Sequence, residues 1–426
     1  MKAILSATMI ILAMTGVSIA AELPGTWQGT IKHQHVMKLT KTPEGGYHGD
    51  WYNLGAEEEG NLNGNKISSV DFDGSHVKFT LDRKADNYEG VLSADGKTIT
   101  GTWAGRGPRQ QLDLVRATKK TAWVIDPSPH KIHFVTVEKG VKLEVLDWGG
   151  SGPPLVLLTG LGNTAHVFDS FAPKFTDKHH VYAITRRGSG ASSAPSSSDS
   201  NNYDADRLGD DVLAVLTALK IDHPVLAGHS IAGEELSSIG TRHPEKVAGL
   251  VYLDAAYTYA FYDAAHGSLI SDVSATRREL DQFSIVPVRD AKVMLSDLLD
   301  VRLPRLQKEL QDFQQTLAQL PDGAGPQSAP SEQALIGNAI IMGARQYTKI
   351  AAPALILIAL PHDNDRNATS PAAKRSLDET TIQAAAVEAG LPAAKVVKLP
   401  YANHYVFRSN EADVEREMNA FMSGLH

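Results

Sequence analysis

The sequence predicts an α/β domain, with a mostly parallel sheet, flanking helices and a helical cap, preceded by a small all-β domain. From residue 131 to residue 426, short apolar runs alternate with segments of helical periodicity, as in a parallel sheet covered by helices. Residues 22–115 are instead rich in glycine and in Asn-Gly and Asp-Gly turns, which favour antiparallel hairpins because these residues tolerate positive φ. Residues 116–130, basic at first and then containing two prolines, are predicted to be a linker.

The N-terminus has the form of a cleavable signal peptide over residues 1–20. Lys2 precedes the apolar stretch 3–13, and Ser18 and Ala20 are small residues of the kind that flank a cleavage point. The apolar stretch is too short for a stable membrane span. We therefore expect a secreted or periplasmic protein, with a retained N-terminal anchor as the alternative.

The composition excludes several classes of site and partner. The 426 residues include no cysteine, which rules out disulfides, a cysteine nucleophile and zinc held by thiolates. The formal net charge is −8 and no basic patch is interleaved with aromatic residues, so nucleic acid is not an expected partner. A small-molecule substrate is the expected partner, and the oligomeric state is left open.

The all-β domain is predicted to be an antiparallel meander, either a small barrel or a sandwich. Gly-x-Trp recurs three times, at Trp27, Trp51 and Trp103. Buried tryptophans holding the core together are favoured over a carbohydrate-binding platform. His33 and His35 would share one strand face, but no third ligand accompanies them, so no metal site is expected.

The most informative segment is Ala-Gly-His-Ser-Ile-Ala-Gly at residues 227–233, between an apolar run and a helix-like stretch. This is the sequence form of a nucleophile elbow, a sharp turn from strand to helix that leaves the hydroxyl of Ser230 at its apex. Gly228 and Ala232 stand two residues to either side, where a larger side chain would collide with neighbouring strands. Ser230 is therefore the predicted nucleophile.

A serine hydroxyl needs a base to remove its proton, and the base needs an acid to orient it. His404 is the predicted base because it follows the strand-like run 395–399. Asp363 is the preferred acid because it lies soon after the buried run 352–360, where a rigid strand can aim it. Asp365 is the second choice. Asp254, at the end of another apolar run, is a third candidate, for which a helix or turn cap is the more ordinary role.

Along the chain, the predicted serine comes first, the acid second and the histidine last. In this order the motifs resemble those of the alpha/beta hydrolases, the group that includes esterases, proline iminopeptidases and cofactor-free haloperoxidases. Residues 155–162 resemble the third strand and oxyanion loop of that group, with Thr159 in place of the usual histidine. The resemblance implies that the backbone N–H groups of Leu161 and Ile231 form the oxyanion hole. It implies no cofactor.

Two further segments carry the resemblance. Residues 186–192 are similar to the Arg-Gly-x-Gly-x-Ser turn of the same group, and we interpret this turn as architectural, with Arg187 bonded to backbone carbonyls. The all-β domain resembles the β-rich N-terminal module found ahead of some secreted bacterial hydrolases.

The helical cap is predicted over residues 257–349, where leucine-rich segments replace the alternation of strand and helix. Its first residues are unusually aromatic, and Tyr257, Tyr259 and Phe261 are expected to line the substrate pocket. Packing of these rings within the cap is the alternative.

The predicted function is that of a secreted serine hydrolase that cleaves a carboxylic ester through an acyl-enzyme. An aminopeptidase that acts on small peptides is the main alternative, and it would need a carboxylate such as Asp263 or Glu234 to hold the substrate amine. A non-catalytic protein that binds a ligand through the all-β domain is the alternative from another class.

Overall fold

The structure, a computed structural model, describes the following residues: 22–54, 64–81, 86–105, 108–256, 260–283, 285, 287–318, 330–363 and 371–425. The predicted signal peptide lies outside them. Contacts within the chain separate two compact units, which divide between Val124 and Ile125. This division falls inside the segment that the sequence predicts to be a linker.

The first unit is an antiparallel barrel. Its strands are β1 (Gly25–Ile31), β2 (His33–Lys41), β3 (Tyr47–Leu54), β4 (Asn65–Phe72), β5 (His76–Leu81), β6 (Asn87–Leu92), β7 (Thr98–Ala104), β8 (Gln110–Gln111) and β9 (Leu114–Arg116). β1 to β6 pair in succession, β6 also pairs with β7, β7 pairs with β9, and β9 returns to β1. This pairing closes the sheet on itself, so the barrel is formed and the sandwich is not.

The interior of the barrel explains the repeated Gly-x-Trp pattern. Trp27 and Trp51 are fully buried, and the rings of Trp51 and Trp103 stack with their centroids 4.8 Å apart. A Cβ atom at Gly101 would lie 2.4 Å from the hydroxyl of Tyr88, so only glycine fits beside that ring. The tryptophans therefore serve as core residues.

The second unit is built on a sheet whose edge is antiparallel and whose centre is parallel. Its strands are β10 (Lys131–Glu138), β11 (Val141–Gly149), β12 (Pro154–Leu158), β13 (His180–Ile184), β14 (Val225–His229), β15 (Gly249–Leu253), β16 (Ala354–Ala359) and β17 (Lys395–Leu399). They pair in the order β10-β11-β13-β12-β14-β15-β16-β17, and all pairs from β13 to β17 are parallel. The carboxyl ends of β12, β14, β15, β16 and β17 consequently lie along one edge.

Helices cover both faces of this sheet. The helices of the second unit are α1 (Ala205–Leu219), α2 (Gly233–Arg242), α3 (Leu269–Gln282), α4 (Val288–Asp297), α5 (Leu303–Leu317), α6 (Glu332–Met342), α7 (Pro371–Gly390), α8 (Val406–Ser409) and α9 (Glu411–Ser423). Val212, Val215 and Leu216 of α1 enter the core on one face, as their helical spacing predicts. Val414, Met418 and Met422 of α9 enter the core on the other face.

A helical insertion, α3 to α6, separates β15 from β16 at the point where the sequence predicts a cap. Ile336 and Ile340 of α6 are buried against Leu208 and Ile231, so the insertion packs on the segment that follows Ser230. In the described part of the chain, no helix combines the length and the apolarity that a membrane crossing requires.

Candidate active site

Ser230 lies on a sharp turn between β14 and α2. β14 ends at His229, a single 3₁₀ turn spans Ser230–Ala232, and α2 begins at Gly233. The φ angle of Ser230 is +55°, a left-handed conformation that costs a non-glycine residue about 1–3 kcal/mol. A Cβ atom at Gly228 would lie 3.0 Å from the Cβ atom of Ala232. The segment therefore has the backbone geometry of the predicted elbow.

A chain of two hydrogen bonds links Ser230 to a buried carboxylate. Nε2 of His404 lies 2.8 Å from Oγ of Ser230, and Nδ1 of His404 lies 2.7 Å from Oδ2 of Asp254. Because an ionised carboxylate can only accept, Nδ1 carries the proton and Nε2 is left to accept from the serine hydroxyl. This is the arrangement in which an imidazole can remove a hydroxyl proton.

The surroundings of Asp254 keep its carboxylate ionised. Asp254 follows β15, is fully buried and has a φ angle of +49°. Burial by itself would raise its pKa. Hydrogen bonds from His362, His404 and the N–H of Ala359 outweigh burial and lower the pKa of Asp254 from 3.8 to about 2. The negative charge beside His404 is therefore held in place across the neutral pH range.

The acid that contacts His404 differs from the one that the sequence favours. Both ring nitrogens of His404 are engaged, by Ser230 and by Asp254. Asp363 lies on the loop after the adjacent strand β16, where its backbone N–H donates to the carbonyl of Ala402 at 3.0 Å. The preferred pairing of Asp363 with His404 is therefore corrected to Asp254, the third candidate. Asp365 lies outside the described residues.

Two histidines that the sequence analysis did not select complete the hydrogen bonding around this site. Nε2 of His362 lies 3.3 Å from Oδ2 of Asp254, so a second imidazole contacts the same carboxylate. Nε2 of His229 donates to the backbone carbonyl of His404 at 3.0 Å. Burial and the nearby His404 lower the pKa of His229 to about 3, which keeps its ring neutral. The sequence signal that could have identified His229 is its position directly before Ser230.

The loop after β12 lies beside the elbow. β12 and β14 are parallel neighbours with Leu158 opposite Gly228, which brings Leu161 and Ile231 to the same edge of the sheet. A Cβ atom at Gly160 would lie 2.7 Å from Nδ1 of His229, so the two loops are in close contact. This placement is compatible with the predicted oxyanion hole.

The arginine that supports this loop is Arg186. Its guanidinium donates to the carbonyls of Thr159 and Gly160 at 2.6 and 3.4 Å, and to the carboxylate of Glu235 at 2.5 Å. The arginine and Glu235 are both buried. Glu235 starts the helix after the elbow, so one buried ion pair connects the loop of Leu161 with that helix.

Arg187 has a different role from the predicted one. Its guanidinium forms two bonds of 2.6 Å to Asp211 and lies 3.0 Å from Glu138. The expected bonds to backbone carbonyls are therefore made by its neighbour Arg186, while Arg187 joins α1 to β10 through carboxylates.

The helical insertion approaches both loops of the site. Besides the contact of α6 with Ile231, a Cβ atom at Gly337 would lie 4.0 Å from Cδ2 of Leu161. Phe261 is buried in the core of the second unit, and its ring lies against Gly390 of α7. This position differs from the alternative of packing within the cap. The other two aromatic residues of the predicted pocket, Tyr257 and Tyr259, lie outside the described residues.

Neither carboxylate proposed for amine binding offers a free negative charge. Glu234 is fully buried, and both of its oxygens lack a hydrogen-bond partner among the described residues. Burial and the neighbouring Glu235 raise the pKa of Glu234 well above its ordinary value. Asp263 is paired with the imidazole of His266.

A comparison with known protein families identifies the fold of the second unit. A family model described as the alpha/beta hydrolase fold matches residues 153–348. This part of the chain has the alpha/beta hydrolase fold. The matched range contains Ser230 and Asp254, and His404 follows it, in the order in which the fold brings them together.

Two curated relatives are similar to this chain over part of their length. A fluoroacetate dehalogenase from Burkholderia sp. is 31% identical over 116 residues, which cover 27% of this chain and 38% of that protein. A 2-(acetamidomethylene)succinate hydrolase from Mesorhizobium japonicum is 27% identical over 105 residues, covering 25% and 36%. The chain thus spans less than half the length of these relatives.

Two solved structures are similar to a larger part of the chain. A proline iminopeptidase-related protein from Thermus thermophilus is 18% identical, covers 70% of this chain and 98% of its own, and has a TM-score of 0.44. The structure of an E-2-(acetamidomethylene)succinate hydrolase is 19% identical, covers 69% and 100%, and has a TM-score of 0.42.

Proposed function

We propose that the protein is a secreted serine hydrolase that cleaves a carboxylic ester through an acyl-enzyme. The observation that carries the proposal is the unbroken hydrogen-bond chain from Ser230 through His404 to Asp254. Secretion is supported by the signal-peptide pattern of residues 1–20.

In the first half of the reaction, Oγ of Ser230 attacks the ester carbonyl carbon while its proton passes to Nε2 of His404. The negative charge that forms on the carbonyl oxygen is stabilised by the N–H groups of Leu161 and Ile231. The bond between the carbonyl carbon and the alcohol oxygen of the substrate then breaks, and His404 gives its proton to that oxygen as the alcohol leaves.

In the second half, a water molecule attacks the acyl carbon and its proton passes to Nε2 of His404. The bond from the acyl carbon to Oγ breaks, the carboxylic acid leaves, and the proton returns to Ser230. Asp254 stabilises the imidazolium in both halves because its charge lies 2.7 Å from Nδ1. The helical insertion lies next to the site, because Ile336 and Ile340 of α6 pack against Ile231.

Esters are favoured as substrates over peptides with a free amine, because neither acidic residue considered for amine binding offers a free negative charge. A substrate ammonium requires an ionised partner. Glu234 has a raised pKa that favours its neutral form, and Asp263 already has His266 as a partner.

The test is hydrolysis of a panel of p-nitrophenyl acyl esters and aminoacyl p-nitroanilides by the wild type, Ser230→Ala and Ser423→Ala. Ser423 lies at the exposed end of α9, where its hydroxyl donates to Asn419, so this variant is a matched control. We expect ester cleavage by the wild type and by Ser423→Ala and loss of activity in Ser230→Ala. Cleavage only of anilides with a free amine, abolished by acylating that amine, would identify an aminopeptidase. Equal activity in Ser230→Ala would exclude the proposed nucleophile.

A further inference from the structure

A second group of ionisable side chains lies away from Ser230, within the second unit. We call it the His–Asp cluster, and its members are Asp126, His130, His166 and Asp169. Each member can offer one nitrogen or oxygen such that all of these atoms lie within 4.8 Å of one another. Two members come from the segment that precedes β10, and two lie in or next to the 3₁₀ helix Ala165–Phe168.

The separations within the His–Asp cluster are those of atoms that share a metal. Oδ2 of Asp126 lies 3.6 Å from Nδ1 of His166, and Nδ1 of His130 lies 3.3 Å from Oδ1 of Asp169. Oδ2 of Asp169 lies 3.2 Å from Nδ1 of His166. Tetrahedral zinc with bonds of about 2.0–2.1 Å places neighbouring ligand atoms about 3.3 Å apart. Small side-chain rotations would therefore allow the four groups to coordinate one ion.

The hydrogen bonding within the cluster is incomplete, which is the independent reason to expect a ligand. The side chain of His130 is only 2% exposed. Its Nδ1 lies 3.3 Å from Oδ1 of Asp169, yet neither atom has a hydrogen-bond partner among the described residues. Buried polar atoms are rarely left in this state. An ion between them would satisfy both.

A third carboxylate lies behind His166. Glu144 is buried, accepts a hydrogen bond of 2.7 Å from the hydroxyl of Thr185, and has an oxygen 4.0 Å from Nε2 of His166. A carboxylate facing the second nitrogen is the usual support for a metal-bound imidazole. The three carboxylates carry a formal charge of −3, which a divalent cation would offset in part.

We propose that the His–Asp cluster binds one divalent transition-metal ion of the zinc type. Two imidazoles with two carboxylates suit Zn²⁺, whereas Ca²⁺ and Mg²⁺ prefer oxygen ligands alone. The ion would fasten the segment that precedes β10 to the 3₁₀ helix Ala165–Phe168. This site is independent of the proposed ester hydrolysis.

The experiment is a titration of chelator-treated full-length protein with ZnCl₂ by calorimetry, with the melting temperature measured in parallel. We expect one equivalent of Zn²⁺ to bind with micromolar affinity or better and to raise the melting temperature, and a thousandfold excess of Mg²⁺ not to compete. His130→Gln and Asp169→Asn are each expected to weaken binding by about 100-fold or more, because each removes one ligand.

Two variants serve as controls. His180→Gln removes an imidazole that pairs with Asp147 at 2.8 Å outside the cluster, and it should bind Zn²⁺ as the wild type does. His362→Gln tests the other possible ligand group in the described residues, which consists of Asp254, His362 and His404. Loss of binding in His362→Gln but not in His130→Gln would overturn the proposal.

A measurement on the wild type keeps the proposal testable if the cluster variants do not fold. Co²⁺ bound in place of Zn²⁺ should give the intense visible absorption of a four-coordinate site with nitrogen and oxygen ligands. Absence of Zn²⁺ binding at micromolar concentrations would show that the cluster is an ion-pair network only, and the proposal would be wrong.

Discussion

The carboxylate of Asp254 accepts a 2.7 Å hydrogen bond from His404, a residue 150 positions later in the chain. Asp254 lies at the end of β15 and His404 lies just beyond β17, and β16 runs between these two strands. Because parallel strands end at the same edge of the sheet, the fold brings both side chains to Ser230, which directly follows the neighbouring strand β14.

Asp254→Asn should lower kcat by about 10⁴-fold while leaving the fold intact. An asparagine cannot stabilise the imidazolium and favours the wrong tautomer of His404. Asp363→Asn is the matched control, on the next strand end, and should change kcat by no more than a few-fold. Steady-state kinetics on the best ester of the panel measures both. A larger loss of kcat in Asp363→Asn than in Asp254→Asn would identify Asp363 as the acid.

His229→Leu should lower kcat about tenfold with little change in KM. The leucine removes the N–H that holds the carbonyl of His404 and leaves this carbonyl without its donor, a loss of about 1–3 kcal/mol. His229→Gln can place an N–H near the same position and should recover part of the rate. Because the imidazole of His229 is neutral, the acidic limb of the pH–rate profile should keep its midpoint in both variants. A shift of that midpoint would show that His229 titrates with the reaction.

Arg186→Met should destabilise the protein by about 3–5 kcal/mol, since it leaves the buried carboxylate of Glu235 without its partner. Arg416→Met is the control. Arg416 pairs with Asp413 at 2.6 Å on the exposed face of α9, and its loss should be undetectable. Urea unfolding of the two variants makes the comparison. Equal stabilities would mean that the loop after β12 does not depend on this ion pair.

Glu234→Gln should stabilise the protein increasingly as the pH rises. An acid whose pKa is raised by folding binds its proton more tightly in the folded state, so it costs stability above its unfolded pKa near 4.5. Glutamine has no proton to lose. The difference in free energy of unfolding between variant and wild type should therefore grow from pH 5 to pH 8. A difference that does not change with pH would show that Glu234 is ionised in the folded protein.

Much of the fold could be predicted because its signals are local. The apolar runs that became β14 to β17 and the helical spacing in α1 and α9 each lie within a few neighbouring residues. Closure of the barrel could not be predicted, because it depends on the pairing of β6 with β7 and of β9 with β1. These pairings are set by strand twist and registry in three dimensions.

The candidate site likewise contains residues that the sequence could predict and residues that it could not. Ser230 is marked by a compact motif, and His404 by its position after a strand. The choice between Asp254 and Asp363 depends on which side chain points toward the imidazole, since both follow the ends of adjacent strands. The His–Asp cluster was missed because its ligands are spread over residues 126–169 and form no recognisable spacing.

Ser230 is the proposed activated nucleophile. The most direct test is the intact mass of the wild type and Ser230→Ala after treatment with a fluorophosphonate probe. We predict a single adduct on the wild type, located on the peptide that contains Ser230, and none on the variant. A wild type that is folded but unlabelled, or an adduct that persists in Ser230→Ala, would contradict the proposal.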